Sequence, residues 1–341
     1  MKRLGFRYSG VILILLTAIY FLLTPALAHV PVFGEGGKSY ETAIFIEDPA
    51  KSRVLYGQLA AGDLRYYSFE MKQGDRIVLG LTVPVEQGNQ GFNPDLILMG
   101  PGIANEGKVP ETLEVPKGHG VKVFPGDLPE SPVYEAFTPS AFYSLASPDL
   151  KAPENGTYYA VVSSTKGIGN YGIVIGYGET FTLKEWISVP LNQIKIYLWE
   201  GQSLFLVFTP LGIILALGLL VIFFKREVVS GFNSARISGI FAGLFFLGTG
   251  LSFFFQMLIS LSKSSYSSDV FVTLSLILAS VVLGITALIL SLKDEDYGAK
   301  STRKRLYFLV IGVAGLLFWA GWFVGPLLAF EAAVLPWKRK G

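Results

Sequence analysis

Two histidines, His29 and His119, are the only imidazoles in this 341-residue chain, and no cysteine accompanies them. Without thiolates there are no disulfides, iron–sulfur clusters, thiolate zinc sites or c-type haem attachments. Imidazole nitrogens suit Cu(II), and the position of His29 makes that chemistry worth weighing. In "LTPALAHVPVF" it directly follows Ala26-Leu27-Ala28, a small-residue cleavage pattern. Cleavage after Ala28 would free the amine of His29 to bind one ion together with its own imidazole. His119 would supply the third nitrogen of a T-shaped site. Against this, the chain has no H-x-H motif, and its four methionines are not clustered as a Cu(I) relay would need. A histidine that merely follows a cleavage site, and another in the Gly-rich "GHGVKVF", are ordinary residues. The leading expectation is therefore no cofactor, with copper at His29 and His119 as the alternative.

Other reactive constellations are thin. A Ser/His/Asp hydrolase needs a histidine base beside a serine; His119 is the internal candidate, and no nucleophile-elbow pattern surrounds it. Acidic residues are abundant, but nothing singles out a glycosidase pair. Asp95 after Pro94 suits a turn or cap better than calcium. Asn155-Gly156-Thr157 is a glycosylation sequon in a predicted turn. The chain carries a formal charge of only +2, and no basic face marks a nucleic-acid partner. Mature chains that begin with histidine resemble lytic polysaccharide monooxygenases, the copper subunit of particulate methane monooxygenase and periplasmic copper carriers. That resemblance, carried by His29 alone, implies a copper-binding or copper-dependent oxidative subunit. The residues themselves favour a non-enzymatic protein.

The elements that must position these residues divide the chain. Hydrophobic residues make up 51% and charged residues 16%, too apolar for an ordinary soluble protein. Residues 1–28 read as a signal peptide, with Lys2, Arg3 and Arg7 before the apolar run Val11–Leu23. Residues 29–180 carry eleven basic and eighteen acidic side chains. They form short runs rich in β-branched and aromatic residues, punctuated by turns such as "KQGD", "NQGFNPD", "PENG" and "KGIGN". This pattern predicts an antiparallel, all-β sandwich outside the cytoplasm.

Within it, "AGDLRYYSFEMKQGDRIVLGLTVP" (61–84), "NPDLILMGPG" (93–102) and "NGTYYAVVSSTKGIGNYGIVIGYGE" (155–179) occur in that order. They resemble the bacterial pre-peptidase C-terminal (PPC) domain on Tyr66, Tyr67, Phe69, Gly74, Asp75, Asp95, Leu96, Leu98, Gly156, Tyr158, Tyr159, Val162, Tyr171 and Ile173. The resemblance implies a jelly-roll-like binding or scaffold module with no catalytic set. It does not cover the Pro-rich segment at about 103–150. That insertion's aromatics, Phe124, Tyr134, Phe137, Phe142 and Tyr143, suit either a partner-binding surface or a packed connector.

Residues 181–202 read as an interfacial linker flanked by Trp186 and Trp199. Residues 203–336 read as four transmembrane helices, at 203–224, 237–261, 270–292 and 306–330. Basic residues flank the first and third connections, which places both in the cytoplasm. It also leaves the basic "PWKRKG" outside, where it fits poorly unless the last helix ends differently or is re-entrant. Gly239/Gly243 and Gly321/Gly325 have the G-x-x-x-G spacing of close helix contacts. Gln256 is the most polar interior side chain, and Glu331 lies near one end, so ion-driven transport is not expected. The expected protein is a multi-pass cell-membrane subunit. Its 29–180 domain binds a protein or glycan partner, or its helices assemble with membrane partners.

Overall fold

A computed structural model describes residues 29–165, 167–225, 233–293 and 299–337. The expected signal segment 1–28 lies outside the described residues. Among the described residues twelve strands form two sheets. The larger contains β1 (Val30–Phe33), β3 (Arg53–Leu59), β12 (Gly169–Ile175), β5 (Arg76–Pro84), β9 (Ser140–Ala146) and β8 (Val133–Glu135) in that order, with β10 (Asp149–Lys151) also on β5. The smaller runs β2 (Ile44–Phe45), β4 (Leu64–Met71), β11 (Gly156–Ser163), β6 (Asp95–Pro101), β7 (His119–Phe124). The sheets are mixed, whereas a purely antiparallel arrangement was expected: β1 pairs β3 and β2 pairs β4 in parallel at the edges. Both edge strands come from the polar, turn-rich segment 30–45, which carries little period-two signal.

The two sheets share one core, in which Leu55, Leu79, Leu81 and Ile173 face Tyr67, Phe69, Leu96 and Leu98. Each such side chain contributes about 1.5–3 kcal/mol by leaving water. The hydroxyls of Tyr67 and Tyr171 meet at 2.7 Å inside this core, which satisfies both polar tips. The Pro-rich insertion does two jobs. Leu113 packs against Tyr66, Ile97 and Val121 on the outer face of the smaller sheet, and the Glu114 N–H donates to Tyr66 Oη at 3.2 Å. Its second half becomes β8 and β9, a strap on the larger sheet.

Among the described residues seven helices follow or interrupt the strands: α1 (Val85–Asn89), α2 (Leu183–Trp199), α3 (Leu204–Phe224), α4 (Ser234–Leu261), α5 (Val270–Leu292), α6 (Ala299–Leu317) and α7 (Val324–Val334). α2 starts in a capping box, in which Thr182 accepts from the Glu185 N–H and Glu185 accepts from the Thr182 N–H. Three helices, α3, α4 and α5, are long and apolar enough to cross a membrane. α3 leaves Phe205, Leu217, Val221 and Phe224 exposed, as a helix apolar on all sides does when it faces lipid. Gly243 and Gly284 bring α4 and α5 together: a Cβ on Gly243 would meet Gly284 O at 3.0 Å. Thus the Gly239/Gly243 spacing does mark a helix seam.

The fourth expected span, 306–330, is not one helix. It breaks at Phe318–Phe323, where Trp319, Trp322 and Phe323 take positive φ of 52°, 52° and 62°. Such backbone costs of order 1–3 kcal/mol per residue and persists only when its surroundings hold it. Here the Gly321 N–H donates to Thr249 Oγ1 at 2.8 Å and the Trp319 Nε1–H donates to Trp186 O at 3.2 Å. α6 and α7 then run side by side as a hairpin. Arg305 Nε donates to Ala333 O and its Nη2 to Val334 O, each at 2.7 Å, and Trp337 stacks on Phe308. The bundle is therefore three long helices plus a helical hairpin. Gly321 sits in its bend and Gly325 in the first turn of α7, and both lie against α4, where a Cβ would meet the Phe246 ring at 2.9 Å and 3.1 Å.

Candidate functional site

The larger sheet and the helices are locked together by buried polar contacts. From the strap, Tyr134 Oη and Thr273 Oγ1 meet at 2.6 Å, and Thr273 Oγ1 donates to Ala136 O at 2.7 Å. Gln193 Nε2 of α2 donates to Phe137 O at 3.0 Å. The Ala141 N–H donates to Glu200 Oε1 at 2.9 Å, and Gln202 Nε2 donates to Glu200 Oε2 at 3.0 Å. Gln202 and Gln256 exchange two amide hydrogen bonds, both 2.8 Å. Trp199 Nε1 donates to Tyr171 O at 3.1 Å, and Lys51 pairs with Glu185 at 2.7 Å. Trp186 Nε1 reaches Leu316 O at 3.2 Å. The two flanking tryptophans therefore pin α2 between the sheet and the hairpin.

Between these clamps the outer face of the larger sheet stays open, forming a cleft of about 440 Å³. Val54, Tyr56, Thr82 and Val174 make its floor. Gly80 keeps that floor flat, since a Cβ there would meet Val174 at 3.1 Å. Val189, Gln193 and Ile196 of α2 form one wall, Glu135, Phe137 and Phe142 of the strap another, and Trp319 of the hairpin bend lies at one end. This size and mostly apolar lining, with a few polar groups, is what small-molecule sites have.

Its electrostatics are one-sided. Three carboxylates line it, Glu135, Asp149 and Glu179, and no lysine or arginine does among the described residues. Asp149 is paired with Arg76 at 2.7 Å on the surface. Burial pushes the Glu135 carboxyl up to about 7, against the hydrogen bond from the Phe137 N–H, with Asp269 and Glu179 adding to the rise. Burial also raises the Tyr56 phenol, with Glu135 and Glu200 contributing.

The two histidines fall on different sheets. His29, at the cleft rim, hydrogen-bonds through Nδ1 to Ser52 Oγ, and burial lowers its pKa. His119 begins β7 at the edge of the smaller sheet, paired with Pro101. Its Nε2 lies 3.0 Å from Thr157 O and its Nδ1 3.3 Å from Lys117 O. The structure does not bring the two rings onto a common partner. Among the described residues no group of three His, Asp or Glu side chains could hold a metal. Asp95 accepts from the Gly126 N–H at 2.9 Å, as a turn residue does. Asn155 is exposed in its turn, with Oδ1 accepting from the Gln73 N–H at 2.7 Å. Sequence reasoning missed Glu135 and Tyr56. Each stands in a strand with neighbours of ordinary type, and only the strap's return over the sheet brings them together.

No known family's sequence profile matches the chain, and no curated protein matches it. Among solved structures, PliG of Salmonella Typhimurium, a periplasmic inhibitor of g-type lysozyme, is 17% identical over 39% of this chain and 95% of its own, at a TM-score of 0.22. A mutant of the Escherichia coli PliG, also a periplasmic inhibitor of g-type lysozyme, is 19% identical over 44% of this chain and 98% of its own, at 0.21. Overlaps this weak assign neither fold nor function here.

Proposed function

We propose that this protein is a membrane-anchored, non-enzymatic binding subunit whose β domain stands outside the cytoplasm and whose ligand site is the cleft between the larger sheet, α2 and the hairpin bend. The observation that carries this reading is the cleft itself, framed by three separately clamped elements and left open between them. The PPC-like motifs support a binding module: Tyr67, Phe69, Tyr158 and Tyr171 serve as core, and Gly74 takes φ +87° at the turn.

The sidedness follows from charge. In the sequence Lys225 and Arg226 follow α3, Lys293 follows α5, and Lys300 and Arg303–Arg305 fall in the first turns of α6, a clustering that supports a cytoplasmic side for those ends. The hairpin returns residues 333–337 to the side it left, beside Arg305 and Phe308. The membrane part is then three crossings plus a re-entrant hairpin, in place of four crossings. An amino-terminal signal cleaved after Ala28 completes this topology.

The test is purification of the full chain in mild detergent, followed by mass spectrometry of co-purifying small molecules from wild type and from cleft-filling Thr82→Trp and Ser144→Trp. Material retained by wild type and lost from both variants, with their melting curves intact, is the expected result. Equal retention by all three, or turnover of a substrate by the purified protein, overturns it.

A further inference from the structure

Glu135 sets the chemistry of the cleft. Its carboxyl is half-buried, its Oε1 accepts one bond from the Phe137 N–H at 3.1 Å, and it has no ion-pair partner among the described residues. A desolvated carboxylate is costly unless a cation or several donors compensate it. The nearest acidic groups, Glu179 in the same cleft and Asp269 at the start of α5, worsen the cost rather than relieve it. Near it, the Tyr56 hydroxyl has no hydrogen-bond partner among the described residues, although the ring is held by Phe33 and Trp199. Phe137, Phe142 and Trp319 supply aromatic faces, and Trp319 and Phe137 are themselves fixed edge to face at 6.2 Å. Aromatic faces attract cations as well as apolar groups. The lining thus offers an acceptor-rich, negative spot beside an aromatic, apolar wall.

We propose that the cleft takes an amphipathic primary ammonium, with its N–H donors on the Glu135 carboxylate and the Tyr56 hydroxyl and its apolar body against Phe137, Phe142 and Trp319. This rests on the binding-cleft reading above and narrows it to one ligand class. A primary amine fits better than a quaternary one because the carboxylate and the phenol oxygen both accept hydrogen bonds, which only N–H groups can fill. An anionic ligand would face the Glu135 carboxylate, which has no ion-pair partner among the described residues. The pair Arg76–Asp149 at the far rim is already neutral, so it does not change this balance.

The experiment is calorimetric titration of the full chain in zwitterionic-lipid nanodiscs with three probes of matched shape: phenethylammonium, the neutral n-propylbenzene and the anionic 3-phenylpropionate. The expected result is that phenethylammonium binds at least tenfold more tightly than either other probe. Glu135→Gln should erase that preference while leaving n-propylbenzene affinity within twofold. Because Glu135→Gln removes a desolvated charge and keeps the acceptor for the Phe137 N–H, it should melt no lower than wild type. Tyr56→Phe gives a second readout, weakening the ammonium alone by several-fold. If the neutral probe binds as well as the ammonium, or Glu135→Gln leaves the preference intact, the ligand class is wrong while the cleft reading stands. If none of the three binds, both fail.

Discussion

The reciprocal amide pair Gln202–Gln256 offers the sharpest test of how the β domain is fastened to the helices. Gln256 is 2% exposed, near the C-terminal end of α4 on a face that also buries Thr249, Ser252 and Ser260, and Gln202 is 9% exposed just before α3. Each donates to the other at 2.8 Å, and Gln202 also donates to Glu200, which in turn accepts from the strap at Ala141. Replacing Gln256 with leucine removes both shared bonds and leaves the Gln202 amide partly unsatisfied. A buried polar group so stranded costs about 1–3 kcal/mol, and interhelical polar pairs in membranes couple by up to roughly 2 kcal/mol. Gln256→Leu and Gln202→Leu should therefore each destabilise by about 2 kcal/mol. The double variant removes both polar groups together and should be no worse than either single, a coupling of about 2 kcal/mol. The assay is tryptophan-fluorescence melting in one detergent, where each kcal/mol moves Tm by roughly 2–4 °C. Strictly additive losses would refute the argument, because they would mean the amides do not act as a pair.

Stability should also fall as pH rises across neutrality. Burial, the first cause for each, raises both Glu135 and Glu200 from 4.5 to about 7, so the folded state holds their protons more tightly. Their contribution is full below pH 4.5 and is lost as pH climbs through 7, by at most about 3 kcal/mol apiece. Glu200 also faces Lys263 and Glu86, and Glu135 faces Asp269 and Glu179. His29, lowered by burial, acts oppositely below 6.5 but is a single group, and the depressed Glu185 matters only below 4.5. The melting temperature should be highest near pH 5 and decline towards pH 8, with a flatter profile in Glu200→Gln; a rise from pH 5 to 8 would contradict this. Tyr134→Phe should lower stability by about 1–2 kcal/mol, since its hydroxyl is bonded to Thr273. Tyr197→Phe should cost nothing by the same melting assay, because its buried hydroxyl has no partner. With His29 and His119 on different sheets, titration with Cu(II) should show no tight 1:1 binding that needs both imidazoles; such binding, lost in His29→Ala and in His119→Ala, would overturn that placement.

The sequence made the main strands and the first three long helices legible, because each announces itself locally. Alternation around Tyr67, Phe69 and Met71 marks β4, and an unbroken apolar run marks α3. The hairpin was hidden for the opposite reason. Residues 306–330 are as apolar as any span, and the break falls at Trp319, Trp322 and Phe323, bulky residues that ordinarily avoid positive φ. What holds it is Thr249 and Trp186, both far away in the chain. The misfit of the basic "PWKRKG" outside the membrane was the one trace it left in the sequence. The cleft was illegible for a related cause: the strap's aromatics look the same whether they meet a partner or the chain's own helices. Here Tyr134 and Phe137 are buried against the helices, so the insertion's obvious surface is spent internally.

That internal use also dictates an order of assembly. Tyr134 must wait for Thr273, and Trp186 for Leu316 and the Trp319 bend, partners 130 or more residues downstream. While the chain is being made, the β domain can complete its own core but not its cleft: Tyr134 remains uncovered until α4 and α5 are in place, and Phe137 and Trp186 until the hairpin has inserted. Contacts so distant along the chain form slowly and leave sticky intermediates. The site is therefore finished from the membrane side, and until the hairpin is seated the chain carries a folded domain with an unfinished pocket.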